Sequence, residues 1–346
     1  LLMMLKSFAQ PLMNWGNPNS LTLLIEHFSG KIYHNRLFNL PFEKVIANLS
    51  AFFLLISNQH FWFLFIPIII IGFIWLLKNN RQFVLPFLLY QLILVFYAIN
   101  YDIPDIDAYY IPVFTIAFIY FFCGIIIILN LAKINVLKYC ILICVGVLFI
   151  FSALQNYKHL DISNKTQLRD YIDNILLTAP ENAILILAGD DVIGSFQYMQ
   201  VVHKKRLDVI GIAMNFDNYE WYYNQLRKRY PLLAVPQYLN DAPDAMTRRI
   251  INANIENKTI ACLYSREKLF NEYVYMPMGV LGQLLKPNTT INLQVDSSIW
   301  RKYIIRNFEN YKYGKQLKTH TDVRLRNIFE TYCNTSINLA IYYMNN

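Results

Sequence analysis

Hydrophobic positions in the first half of the chain fall into four long runs, residues 61–77, 82–99, 110–129 and 136–154. A helix needs roughly 20 mostly apolar residues to cross the hydrocarbon core of a bilayer. Each run therefore predicts a transmembrane helix, the first two relying on flanking polar residues at the interface. The breaks between the runs are sorted by charge. Lys78 and Arg81 lie between the first two, and Lys133 and Lys138 around the last break. The central break, residues 100–107, carries Asp102, Asp105 and Asp107 and no Lys or Arg. Basic loops stay in the cytoplasm, so the aspartate loop is expected outside. Four crossings then place residues 1–60 and everything after Leu154 on that same outer face.

Before the runs, residues 1–60 read as an external loop leading into an amphipathic helix. Pro11, Gly16, Pro18 and Gly30 punctuate the loop, and Ser20 is a plausible cap for a helix over residues 21–28. Val45, Ile46, Leu49, Phe52, Phe53 and Ile56 recur at helical spacing, which suits a helix lying in the membrane interface. After the runs, the period changes. Helical patterns over residues 165–177, 192–202 and 216–230 alternate with apolar stretches at 183–188, 207–212 and 260–264. That alternation predicts an external soluble α/β domain with a mostly parallel sheet over residues 155–346, closed by helices within 325–344. The fold class is thus a polytopic α-helical membrane protein, residues 61–154 forming the bundle, followed by an α/β domain.

Composition changes this picture little. The 346 residues are 55% hydrophobic, in keeping with a membrane part plus one domain. The net charge of +8 raises nucleic acid as a partner, but the basic residues are mixed with acidic ones rather than gathered in runs. No nucleic-acid role is expected. Cys262 and Cys333 lie in the α/β region as a possible but widely spaced disulfide pair, and no metal-ligand spacing occurs. The chain opens Leu-Leu-Met-Met-Leu, which reads as the tail of a helix whose beginning is missing, so the chain is expected to be a fragment.

Candidate chemistry collects in two loops and at one strand end. Trp15, His27, Lys31, Tyr33, His34 and Arg36 put cationic and aromatic groups near the outer leaflet, where they suit a phosphate or a sugar ring. Interfacial anchoring is the competing reading. Asp105 and Asp107 alternate, so in an extended segment both point to one side as weak candidates for a general base. An external loop must in any case be polar. Asp190 and Asp191 follow the first predicted strand, where open α/β sheets place ligands; a helix cap plus a turn explains them equally. The predicted membrane runs hold essentially no charge, which argues against an ion-driven transporter.

One resemblance gathers these features. Trp15-Gly16-Asn17-Pro18 followed by residues 27–33 (His-Phe-Ser-Gly-Lys-Ile-Tyr) resembles a motif block of a bacterial membrane family formerly of unknown function. That family is related to the animal O-mannosyltransferases that modify plexin-type domains. Asp102-Ile103-Pro104-Asp105, Tyr109-Tyr110-Ile111-Pro112, Ala188-Gly189-Asp190-Asp191, Tyr198-Met199-Gln200, residues 205–209 (Lys-Arg-Leu-Asp-Val) and Trp221-Tyr222 follow in order. The resemblance implies a polytopic glycosyltransferase of the GT-C type, passing a sugar from a polyprenyl-phosphate donor to an external protein or glycan acceptor. It implies donor binding by His27, Lys31 or Arg36 in a pocket shaped by Trp15 and Asn17, with Asp105 and Asp107 on the acceptor side. It favours a bacterial inner membrane with its outer parts in the periplasm. No other cofactor is indicated. Enzymes of this type carry their catalytic carboxylate in the first external loop, which would lie upstream of Leu1, so the fragment alone is expected to be inactive. A non-catalytic assembly or scaffold protein and a lipid-linked sugar transporter are the alternatives.

Overall fold

The computed structural model describes residues 2–11, 14–57, 62–103, 105–161, 163, 166–239, 242, 244–263, 271–287, 289 and 332–333. The chain divides into two units, Leu1–Ile162 and Ser163–Asn346. In the first, α1 (Leu2–Phe8) and α2 (Leu21–Phe28) precede a 3-10 turn at Lys31–Arg36 and α3 (Phe42–Ser57). The bundle follows as α4 (Trp62–Asn79), α5 (Arg81–Ile99), a 3-10 turn at Ile106–Tyr110 running into α6 (Ile111–Leu131), and α7 (Asn135–Leu160). Helices thus occupy all four predicted runs. Among the described residues, three stretches are long and apolar enough to cross a membrane: Arg81–Ile99, Ile106–Leu131 and Asn135–Tyr157. The apolar stretch of α4, Phe65–Asn79, is shorter.

Glycine sets the tightest crossing. A Cβ built on Gly72 of α4 would lie 1.8 Å from the Tyr120 carbonyl oxygen of α6. One built on Gly124 would lie 2.1 Å from the Ile68 carbonyl. The two backbones therefore touch, as membrane helices do where small residues face each other and dispersion rather than the hydrophobic effect drives packing. Gln91 on α5 supplies the polar tie in the bundle. Its Nε2 donates to the Val113 carbonyl at 3.0 Å, and its Oε1 accepts from the Tyr120 hydroxyl at 3.4 Å.

Helix α3 forms where its apolar period was read, but the period serves the bundle. Phe52 is buried in one cluster with Ala98, Tyr110 and Val113, and Leu55 and Ile56 pack against it. Asn48 Nδ2 donates to the Ile99 carbonyl at 3.0 Å. Phe42, Ile46, Phe53 and Leu54 remain exposed on the other side. One face is therefore packed and the other bare.

The second unit begins with α8 (Gln167–Thr178) and β1 (Ile184–Leu187), then α9 (Asp190–Val201) and β2 (Ile210–Ala213). After a 3-10 turn at Met214–Phe216 come α10 (Glu220–Arg229), α11 (Ala245–Asn254), β3 (Ile260–Leu263), β4 (Val274–Met278) and β5 (Leu281–Leu285). The sheet order is β2-β1-β3-β5-β4. β1 pairs parallel with β2 and with β3, whereas β3–β5 and β4–β5 are antiparallel. The sheet is mixed rather than mostly parallel, because the hairpin β4–β5 adds on the β3 side. All four residues of β1 are buried, as expected of a strand covered on both faces. The hairpin and α11 were not read from the sequence. Tyr264 and Lys165, predicted ends of a strand and a helix, lie outside the described residues, as do the predicted closing helices save Tyr332 and Cys333. Cys262 and Cys333 are both free thiols, and burial in β3 pushes the Cys262 thiol up to about 12.

Candidate functional site

Two loops meet where α5 ends. Leu37 and Tyr101 form an antiparallel bridge. Phe38 N–H donates to the Asn100 carbonyl at 2.9 Å, and Asp102 N–H donates to the Arg36 carbonyl at 3.1 Å. Two loops that are far apart in sequence, one cationic and one acidic, are thereby zipped edge to edge. Exposed Arg36 and exposed Asp102 sit on neighbouring strands of this short ladder.

Behind the ladder lies a cluster of tyrosines. Tyr101 is buried, with ring centroids 5.6 Å from Tyr97 and 5.6 Å from Tyr109. Tyr97 and Tyr109 stack at 6.2 Å. Burial pushes the Tyr101 phenol up to about 12, and the neighbouring phenols of Tyr109, Tyr97 and Tyr33 add to this. The phenol therefore stays neutral and keeps its proton for hydrogen bonding at any physiological pH. Tyrosines with an apolar body and a polar tip are suited to a half-wet site at a membrane edge. This cluster was missed in the sequence. Tyr97 and Tyr101 are four apart, a helical spacing, but Asn100 already marks the end of the helix.

The predicted donor residues divide between contacts. Asn17, in the left-handed region at φ 45°, turns its carboxamide inward: Oδ1 accepts from Asn14 Nδ2 at 2.7 Å, Ser7 Oγ at 3.2 Å and Gln10 Nε2 at 3.3 Å. It pins the loop. Gly16, at φ +70°, lets His27 close on the turn, its Nδ1 3.1 Å from where a Cβ would be. Trp15 is half-buried in the same turn. Lys31 Nζ is 2.6 Å from Glu26 Oε1, an exposed pair across the end of α2. His34 Nε2 lies 3.0 Å from the Ser29 carbonyl. Arg36 alone of the five donor candidates lies on the ladder with the acidic loop.

Asp105 and Asp107 are both exposed, but they do not alternate along a strand. Asp105 starts the 3-10 turn Ile106–Tyr110 and Asp107 lies in its first turn. At three residues per turn, side chains two apart diverge by roughly 120° rather than pointing together. The expectation that both face one side is corrected by the turn, which forms because residues 105–110 feed directly into α6.

In the second unit, Asp190 and Asp191 begin α9 after Gly189, whose φ is 90°. Asn215 stitches the ends of β1 and β2 together: its Oδ1 accepts from Gly189 N–H at 3.1 Å, and its Nδ2 donates to Asp190 Oδ1 at 2.7 Å. The strand order puts this end of β1 beside β3 at the point where the chain reverses direction across the sheet, the usual ligand position in open α/β sheets. Asp190, however, is already engaged in the stitch. Asp217, buried beyond β2, accepts from the Tyr223 hydroxyl at 2.8 Å and from Thr247 N–H at 2.8 Å, holding the start of α11. Burial, and then Asp217, raise the Tyr223 phenol far above its ordinary value. Among the described residues no group of three His, Cys, Asp or Glu side chains is placed to hold a metal ion.

Compared with protein-family models, curated proteins and solved structures, the chain matches none.

Proposed function

We propose that this chain carries the donor-side mouth of a membrane glycosyltransferase of the GT-C type, O-mannosyltransferase-like, that takes its sugar from a polyprenyl phosphate. One observation supports this reading above the others. The cationic segment ending in Arg36 and the acidic loop at residues 100–103 are zipped together beside a tyrosine cluster, at the end of an apolar helix. A lipid-linked sugar presents an anionic phosphate at headgroup depth and a ring with an apolar face next to it. A guanidinium binds phosphate oxygens with paired N–H donors, and tyrosine rings offer a flat surface for a sugar. In this reading α4 is the fourth crossing, and the mouth opens on the periplasmic side. Arg36 is the phosphate ligand. His27 and Asn17 hold the loop that presents it, and exposed Tyr33 and Tyr109 line the sugar side, with Tyr109 backed by buried Tyr101. The acceptor is an external protein or glycan that approaches the acidic loop.

The test is transfer from a polyprenyl-phosphate sugar by the full-length protein in lipid. Arg36→Ala is expected to raise the donor KM about tenfold, the loss of one charge-assisted contact. Lys31→Ala, which breaks only an exposed ion pair, is expected to leave it within about twofold. Equal KM values for Arg36→Ala and the parent would refute the assignment. A binding or assembly role is favoured by one fact: Asn17, Lys31 and His34 already have partners within their own loop. Absence of any sugar transfer together with retained binding of a protein partner would bring that role forward.

A further inference from the structure

Helix α2 has an apolar stripe that the described residues of the first unit leave exposed. Ser20 caps it, accepting from Leu23 N–H at 3.2 Å, so its start and register are fixed. Leu21, Ile25 and Phe28 lie at positions i, i+4 and i+7, one face of a helix. They are 67%, 59% and 72% exposed, while Leu24 on the adjoining face is 9% exposed and packs inward. Single exposed apolar residues are ordinary, but three large ones aligned on eight residues are not.

The position of α2 says what covers the stripe. Six residues of 3-10 turn separate Gly30 from Leu37, a reach of about 12 Å. Leu37 is bridged to Tyr101, and Phe38 packs on Phe96 with ring centroids 5.6 Å apart. Phe96 is exposed on the last turn of a stretch apolar enough to span a membrane. Phe38, itself exposed, continues that apolar surface past the helix end. Phe42 and Ile46 are likewise exposed at the start of α3. The polar face of α2 and the turn after it carry Glu26, Lys31, His34 and Arg36, the amphipathic arrangement of a helix lying in an interface.

We infer that the Leu21–Ile25–Phe28 face of α2 is seated in the bilayer at the headgroup–acyl boundary, so that α2 is a membrane-embedded rim of the mouth. The occupant of the stripe is lipid of the leaflet into which the mouth opens. The rim sets the depth at which Arg36 is held. This inference stands without the glycosyl-transfer reading, since it concerns lipid contact and no reaction.

The experiment uses the full chain reconstituted in phosphatidylcholine bilayers, with Ile25→Trp on the stripe and Glu26→Trp on the polar side, the parent's own tryptophan signal being subtracted. Lipid brominated near the carboxyl end of its chains quenches a tryptophan at the boundary. Quenching of Ile25→Trp by bromolipid is expected to exceed that of Glu26→Trp at least about twofold, with acrylamide in the water showing the reverse order. Equal bromolipid quenching at the two sites, with acrylamide reaching both, would mean that the stripe faces water. Protection of Ile25→Trp from both quenchers would mean that protein covers it. Either result overturns the inference. Both substitutions lie outside the packed side of α2, so loss of folding does not confuse the comparison.

Discussion

Arg206 shows how much one side chain can organise. Its guanidinium donates to the Leu176 carbonyl at 2.6 Å, the Ala179 carbonyl at 2.8 Å and the Pro180 carbonyl at 2.9 Å, closing the C-terminal end of α8. It also pairs with Asp208, Nη2 to Oδ2 at 2.8 Å. Arg206 itself sits at φ 44°, a conformation an L-residue adopts only when its surroundings impose it. Removing it with Arg206→Ala leaves helix-end carbonyls without a donor and is expected to cost about 2 kcal/mol or more of stability. Denaturant unfolding of the full chain measures this. The Arg206 hydrogen bond, and less strongly the Asn182 N–H, hold the Asp208 carboxyl down at about 2 against the opposing effect of burial. A carboxyl lowered on folding stabilises the fold at pH values above its unfolded value, near 3.9, and the gain vanishes as pH falls toward the folded value. The stability difference between the parent and Asp208→Asn is therefore expected to be constant from pH 7 down to about 5 and to shrink between about 4 and 2. A difference that grows on acidification would contradict this assignment. Residues 205–209 were singled out only as part of a motif. That the arginine serves a helix end 30 positions earlier in the chain could not be read from spacing.

At the scale of elements, the glycine crossing between α4 and α6 is the sharpest test of packing. Gly72→Ala would place a methyl 1.8 Å from the Tyr120 carbonyl, and no rotamer can relieve a clash between backbone and Cβ. It is expected to destabilise the bundle by about 3 kcal/mol or more, measured as a lower unfolding midpoint in detergent. Gly146→Ala on α7, whose Cβ meets nothing within 4 Å, is expected to be neutral or to stabilise by up to about 1 kcal/mol through helix propensity. Equal effects would dismiss the crossing. Elements with a strong local period were legible: the four apolar helices, α3, and the first three strands each fell close to their predicted places. The hairpin β4–β5 was not, because Pro277, Gly279 and Gly282 interrupt its apolar run. Gly282 is there for space, since a Cβ would strike the Tyr275 ring at 1.6 Å. The 3-10 turn at Ile106–Tyr110 was not legible either: Asp105 and Asp107 share a side only in an extended segment, and nothing local in residues 100–107 distinguishes that from a turn.

For the molecule as a whole, the sequence showed which chemistry was present and the fold showed which of it meets. Arg36 and Asp102 are 66 positions apart by number, and the bridge between Leu37 and Tyr101, with the backbone hydrogen bonds that flank it, brings their loops together. Local patterns carry no information about such a pairing. His27, Lys31 and Asn17 drew attention as ligands, yet each makes a local contact that shapes the loop. Everything proposed for the mouth depends on its opening away from the cytoplasm, the side expected from the charge of the breaks. Labelling of single cysteines in intact cells with a membrane-impermeant maleimide, corrected for the parent chain, tests this most directly. Asp107→Cys at the mouth and Glu181→Cys in the second unit are expected to be modified from outside, and Lys78→Cys only after permeabilisation. Modification of Lys78→Cys in intact cells with protection of Asp107→Cys would invert the topology and remove the basis for a donor site at the outer face.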